Sequence, residues 1–399
     1  MSTNNNNFDN RIILQSSPLF SLSMASKELF HTNFLYWISK NNPNLFISIL
    51  NSLDIRRDDW PNRWNSYQDN NHYDLSIKDH NNDVILILEN KVKSIPIKEQ
   101  LDRYEEKNSK NEKLLKILLS LSDEFPQKDE IKKQWKIISY KDLSDAILLN
   151  INKVNDTYHK MLLTDYCLLT KALHNIQGKW SFCYDGSYIH QFVNKIEDDN
   201  FLRLSDIRSK ILYSRLTSDL QQKLGCPIMT NKEIKNLYKS GKNDINNTYI
   251  NWGMTRSQGL IDIKTRICGN LLLVIQIQGN AYKHCIEALD KSEQNLSIIK
   301  AICSQIEKKE GTELRNFKYV KEIIESEFIQ ISNRSYDGFP LTEEFAEIPN
   351  SKDYNHYGNG FIYQYLKIKP NTSVRTLFEA IIRDYNNIIS LIENINQSV

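Results

Sequence analysis

One stretch limits what this chain can fold into more than any other: 73-YDLSIKDHNNDVILILENK-91. Two apolar segments flank the polar DHNND, which is the pattern of an antiparallel hairpin. With Asn81-Asn82 as a two-residue turn, Lys78 faces Ile85, Leu75 faces Leu88 and Asp74 faces Glu89. Side chains alternate between the faces of a strand. Leu75, Ile77, Val84, Leu86 and Leu88 then form an apolar core face, while Asp74, Ser76, Ile85, Ile87, Glu89 and Lys91 share the other. Directly opposed residues place their Cβ atoms about 4.5–5.5 Å apart, so two carboxylates there repel unless a cation lies between them. Mg²⁺ suits the gap, because it takes oxygen ligands at about 2.0–2.1 Å and keeps several waters. Lys91 projects toward the same pocket. The expectation is a metal site with an ammonium beside it.

The elements around the hairpin place it in a mixed sheet. Leu29, Phe30, Phe34, Trp37 and Ile38 recur at helical spacing, and Pro43 opens a second helix that runs to about Leu53. The piece 55–70 contains a short strand. A helix follows Ser94-Ile95-Pro96, with Ile97, Leu101 and Tyr104 on one face. Strands are expected at 114–121 and 135–139, then a long helical region from Lys141 to about His174. The order α-β-β-β-α-β-β-α predicts an α/β domain built on a sheet flanked by helices.

That order, with Asp74, fourteen residues and then Glu89-Asn90-Lys91, resembles the PD-(D/E)XK nuclease superfamily, whose core is a restriction-endonuclease-like mixed sheet. The wording of 28-ELFHTNFLYW-37 and 99-EQLDRYEE-106 resembles the bacterial branch of that superfamily, and the resemblance covers about residues 20–175. It departs in one respect: Tyr73, not proline, precedes Asp74. The resemblance implies that Asp74 and Glu89 bind Mg²⁺, for which Mn²⁺ can substitute, and that Lys91 positions or activates the attacking water. It also implies that Glu28 joins the metal site and that Gln100, with Tyr104 one turn later, supports it. The implied activity is hydrolysis of phosphodiester bonds in DNA, as an endonuclease of bacterial restriction or antiviral defence. The rival reading is a nuclease-fold module that binds nucleic acid or a partner without cleaving, and RNA remains open as the substrate. A homodimer is also left open.

The remaining chain is read as a C-terminal α+β domain. A shift of composition at Gly178–Gly186 divides an arm at 1–19 and a nuclease-like domain at 20–178 from a second domain at 179–399. Helices are expected at 200–224, 231–240 and 281–309, an irregular stretch at 333–358, a strand at 360–368, and a last helix capped by Ser373. Residues 203–242 hold nine Lys/Arg against three acids, so Arg208, Lys210 and Arg215 are candidate phosphate contacts, with Tyr213 and Tyr238 available for stacking. The formal charge of the whole chain is only +2, so any polyanion site must be such a local patch.

The hairpin 259-GLIDIKTRICGNLLLVIQIQG-279 echoes the first, with Gln276 and Gln278 where Glu-x-Lys would stand. A two-residue turn puts Asp262 on the face opposite the glutamines; a three-residue turn sets it across from Gln276. In the first case the three cannot share a pocket, and in the second the site holds one carboxylate and no ammonium. The hairpin is therefore expected to bind no metal and to be structural, with Gln276 and Gln278 free to hydrogen-bond substrate or a partner. Six scattered cysteines without a C-x-x-C pair argue against zinc and for a reducing compartment. No basic-then-apolar leader and no membrane-length apolar run is present, so the expected location is the cytoplasm.

Overall fold

The computed structural model describes residues 28–70, 73–92, 94–109, 111–194, 204–239, 248–255, 258–268, 271–288, 346–347, 355–357 and 361–397, with residues 10, 12–14, 17, 19 and 20 ahead of them. It divides into two compact units. One is Met1–Ser181 with Lys195–Ser214, the other Phe182–Asn194 with Arg215–Val399.

In the first unit, α1 (Glu28–Asn41) and α2 (Pro43–Ser52) precede β1 (Asn65–Asn70), β2 (Tyr73–Lys78) and β3 (Val84–Lys91). Then come α3 (Lys98–Lys107), β4 (Leu115–Ser120), β5 (Lys136–Ser139), α4 (Tyr140–Leu149) and α5 (Thr157–Gln177). The sheet order is β1-β2-β3-β4-β5, antiparallel from β1 to β3 and parallel from β3 to β5. This is the mixed, helix-flanked sheet that the order of elements predicts. Of the amino-terminal arm, Leu14 and Leu19 are buried.

Three local expectations are corrected. The hairpin turn is not a two-residue Asn81-Asn82 turn but the loop Asp79–Asp83. The Asp79 carboxylate accepts the N–H groups of Asn81 and Asp83, both at 2.9 Å, and Asn82 takes a left-handed φ of 66°. The register Leu75↔Leu88 stands, while a bulge at Ile77/Lys78 moves Lys78 from Ile85 to Val84. The helical region after Lys141 is broken by a 3₁₀ turn at Ile151–Lys153, because Asp156 starts a new helix by capping the N–H of His159 at 2.7 Å. Finally, Ile97 is the N-cap of α3 and is exposed; only Leu101 and Tyr104 of the expected trio are buried.

Both faces of β3 are covered. Ile85 and Ile87, expected on the site's face, are as buried as Leu86 and Leu88. A central strand with a parallel neighbour is sandwiched between helices, which explains the continuous apolar run VILIL.

The second unit is built on an antiparallel sheet in the order β10-β12-β9-β8-β7-β6, with β11 on β12. Its strands are β6 (Thr248–Thr255), β7 (Gln258–Cys268), β8 (Leu271–Gln278), β9 (Ala281–Ala288), β10 (Ala346–Glu347), β11 (Asn355–Tyr357) and β12 (Phe361–Ile368). The helices are α6 (Ser205–Leu224, running into this unit), α7 (Asn231–Lys239) and α8 (Val374–Gln397), the last capped by the Ser373 hydroxyl on the Thr376 N–H at 3.0 Å. Residues 281–288, expected to open a helix, form β9 instead. Gly279, at φ +56°, and Asn280 make a tight turn that folds the chain back on β8. Tyr282, His284 and Ile286 then alternate onto one buried face. The rest of that expected helix, and almost all of 333–358, lie outside the described residues. No helix among the described residues is long and apolar enough to cross a membrane.

Candidate functional site

The carboxyl end of β3 is where the chain gathers its polar groups. Glu89 and Lys91 project to the face covered by α3, and Asn90 projects to the other. Asp74 is the second residue of β2, one step beyond the Leu75↔Leu88 pair, and its Oδ2 accepts the Asn90 N–H at 2.7 Å. The sheet thus brings Asp74, Glu89 and Lys91 together.

Glu89 is only 3% exposed. Its Oε1 accepts Lys91 Nζ at 2.6 Å and Gln100 Nε2 at 2.7 Å. Gln100 also donates to the Tyr104 hydroxyl at 2.8 Å, and Tyr104 is itself hydrogen-bonded to the Glu89 carboxylate. The i, i+4 spacing of Gln100 and Tyr104 on α3 permits this arrangement. Glu89 Oε2, by contrast, is buried without a hydrogen-bond partner. Burial pushes the Glu89 carboxyl up to about 7, and the charge of Asp74 adds to the rise against the opposing pull of Lys91. Burial likewise pushes the Tyr104 hydroxyl up to about 12.

Glu28 has a different occupation from the one expected. Its Oε1 accepts the N–H groups of Val92 (3.1 Å) and Ser94 (2.9 Å) and the Ser94 hydroxyl (2.6 Å), so it fastens the chain leaving β3. Among the described residues no group of three or more His, Cys, Asp or Glu side chains is arranged to hold a metal ion. The expected ligand trio of Asp74, Glu89 and Glu28 is therefore not assembled, because Glu28 is turned to the 92–94 backbone. The two remaining carboxylates still fit a divalent cation. A buried oxygen without a partner is costly unless something positive or donating meets it, and two hard oxygen donors suit Mg²⁺, which usually retains waters and takes one or two carboxylates.

Sequence reasoning missed the residues that hold β3 from behind. Asn90 is fully buried, and its side chain bonds to α1 and to Tyr140 of α4. An amide inside an otherwise apolar strand was the available signal. His31 packs edge-on against Tyr140 and lies 3.1 Å from the Tyr166 hydroxyl, and burial lowers its pKa to about 3, so it is neutral.

The basic segment lies largely on α6 and α7, where Lys223, Lys232 and Lys235 are exposed. Tyr213 is fully buried and cannot stack on a base, and Arg208, Lys210 and Arg215 are half-buried on α6. The side chain of Tyr238 lies outside the described residues. In the second hairpin Asp262 lies opposite Gln276, because an irregularity between Arg266 and Cys268 shifts the register that the Cys268↔Leu271 pair begins. The ammonium groups thought absent are present, one from β9 and one from β7 itself. Lys283 on β9 donates to Gln276 Oε1 at 2.7 Å, and Lys264 lies 3.5 Å from Asp262.

A helix-flanked mixed sheet with an acidic pair and a lysine at the end of its central strand defines the class of the first unit. Residues 36–168 match the family model of the PD-(D/E)XK nuclease superfamily. The matched stretch includes Asp74, Glu89, Lys91 and Gln100. Neither the curated proteins nor the solved structures yield a match to the chain.

Proposed function

We propose that the first unit hydrolyses phosphodiester bonds in DNA with the help of Mg²⁺. The observation that carries this reading is the unpartnered Oε2 of the buried Glu89, set beside Asp74 and Lys91. Asp74 and Glu89 would hold the cation. When bound, it supplies Lewis acidity toward a phosphate oxygen.

The protein's own groups account for the rest. Lys91, now paired with Glu89 Oε1 at 2.6 Å, carries positive charge where negative charge develops on a phosphate at this face. Gln100 and Tyr104 hold the Glu89 carboxylate from one side, which fixes the direction in which Oε2 points. Because Glu89 titrates near 7, its carboxylate is charged above that pH and takes up a proton below it. Cation binding and cleavage should therefore rise together through neutral pH.

Incubating the protein with plasmid, single-stranded DNA and RNA, each with Mg²⁺, Mn²⁺ or EDTA, tests the reading. The expected result is cleavage of DNA that EDTA abolishes. Binding that survives EDTA, with no cleavage under any condition, would establish a non-catalytic binding module instead. Cleavage of RNA alone would reassign the substrate.

A further inference from the structure

Asn90 stands between Glu89 and Lys91 in sequence, yet its side chain points the other way. A strand covered on both faces would accept Leu or Val there, and a buried amide is tolerated only when it is fully hydrogen-bonded. Asn90 meets that demand. Its Nδ2 donates to Glu28 O at 2.9 Å and to Thr32 Oγ1 at 3.3 Å, both on α1. Its Oδ1 accepts the Tyr140 hydroxyl at the start of α4. Its backbone N–H donates to Asp74 Oδ2.

Tyr140 is itself held firmly. It directly follows β5, where Ser139 and Asp142 form a capping box that fixes the first turn of α4. The His31 ring packs against it at 5.0 Å between centroids, and His31 is tied to Tyr166 on α5. Asn90 thus joins two anchored helices to a carboxylate of the site.

We infer that Asn90, clamped by Tyr140 and α1, is a positioning residue that sets Asp74 against Glu89 and Lys91. The inference rests on the nuclease reading of that site. Alternation ties the directions of Glu89 and Lys91 to the backbone at 90. The N–H of the same residue orients Asp74. A shift at this one residue therefore displaces all three groups together, although its side chain touches none of them.

The test compares Tyr140→Phe, Thr32→Val, Asn90→Ala and the Tyr140→Phe/Asn90→Ala pair in the full chain. Mn²⁺ affinity is measured calorimetrically without DNA, alongside kcat and KM for plasmid cleavage and amide hydrogen exchange of the segment 86–91. Residues that orient metal-site groups typically change affinity or activity about 10- to 100-fold when removed. Tyr140→Phe should weaken Mn²⁺ binding and lower kcat by about tenfold at an unchanged KM, toward the lower end of that range. Asn90→Ala should do so by up to about 100-fold. Because both act through one contact, the double variant should be no worse than Asn90→Ala. If Asn90→Ala fails to fold, Tyr140→Phe and Thr32→Val carry the test.

Wild-type affinity and kcat in Tyr140→Phe, with only a lower melting temperature, would overturn the inference and leave Asn90 a structural residue. A wild-type protein that neither binds Mn²⁺ nor cleaves would sink the nuclease reading separately. In that event, faster exchange of the Asn90 amide in Tyr140→Phe would still uphold the positioning of Asp74, and unchanged exchange would refute it.

Discussion

The two hairpins of this chain, β2–β3 and β7–β8, start from similar sequences and end in opposite chemistry. Each places an aspartate on its first strand and two polar residues, spaced i and i+2, on its second. In β7–β8 the polar groups close on one another. Gln276 donates to Asp262 Oδ1 at 2.8 Å, Lys283 donates to the side-chain oxygens of Gln276 and Gln278, and the Lys283 ammonium lies 4.7 Å from the centre of the Tyr363 ring. Lys264 adds bonds to Glu287 and Asn231 at 2.6 and 2.8 Å. In β2–β3 the bonds gather on one oxygen of Glu89 and leave the other empty. What separates the two clusters is the residue types together with a buried carboxylate oxygen, Glu89 Oε2, that is left over.

The strongest way to break the comparison is to cut each cluster in turn. Asp74→Ala, Glu89→Ala and Lys91→Ala should each reduce DNA cleavage to background in a plasmid assay while circular dichroism shows an intact fold. Cleavage retained in purified Glu89→Ala would remove the assignment from this site. Asp262→Ala should do the reverse and leave Mg²⁺-dependent cleavage within about a few-fold of wild type. It removes the acceptor of the Gln276 amide while Lys264 keeps its bond to Glu287, so the expected loss is about 1–3 kcal/mol. Calorimetry should register that loss. A cleavage defect in a stable Asp262→Ala protein would mean that the second cluster is not merely structural.

A gentler comparison uses pH. The folded pKa of Glu89 is raised from 4.5 to about 7 by burial, so its neutral form favours the fold. Its contribution is fully present below 4.5 and is lost as pH rises through 7. Glu89→Gln should therefore stabilise the metal-free protein above pH 7 by up to roughly 3 kcal/mol, with the two proteins converging below pH 4.5. Equal melting curves at pH 8 would show that the carboxylate is not strained as the structure has it.

The smallest effect is expected at Lys283. Burial lowers its pKa, so its charge is already disfavoured. Lys283→Met keeps most of the volume and leaves the oxygens of Gln276 and Gln278 without their donor, a loss of about 1–3 kcal/mol by calorimetry. Lys283→Met should leave cleavage in place, whereas Lys91→Met should remove it. Reversal of this pattern would erase the distinction between the clusters.

What could be read in the sequence was local. The Leu75↔Leu88 register followed from alternation, and the reach of Gln100 to Glu89 agrees with the helix expected after Pro96. What could not be read depended on neighbours distant in the chain. Residues 281–288 carry apolar groups that a helix could also use, and only pairing with β8 and β12 selects a strand. Lys283 was invisible as a partner of Gln276 for the same reason. The role of Glu28 needed the position of Ser94, 66 residues away. Asn90 needed Tyr140, 50 residues away.

The order of strands also bears on how the chain folds. β6, β7, β8 and β9 are consecutive antiparallel neighbours, so each pairing closes a short loop, which is the least demanding kind of chain closure. The first sheet instead pairs β3 with β4 across the whole of α3, and the Leu121 N–H reaches Lys91 O only after that crossover. We expect the meander to form early and the cover over Glu89 and Lys91 to close late, since contacts of longer sequence separation slow folding. Φ-values near zero at Leu118 and high at Ile275 would support this sequence of events, and the opposite pattern would refute it. Late closure keeps both charges of the Glu89–Lys91 pair in water until each has the other to meet.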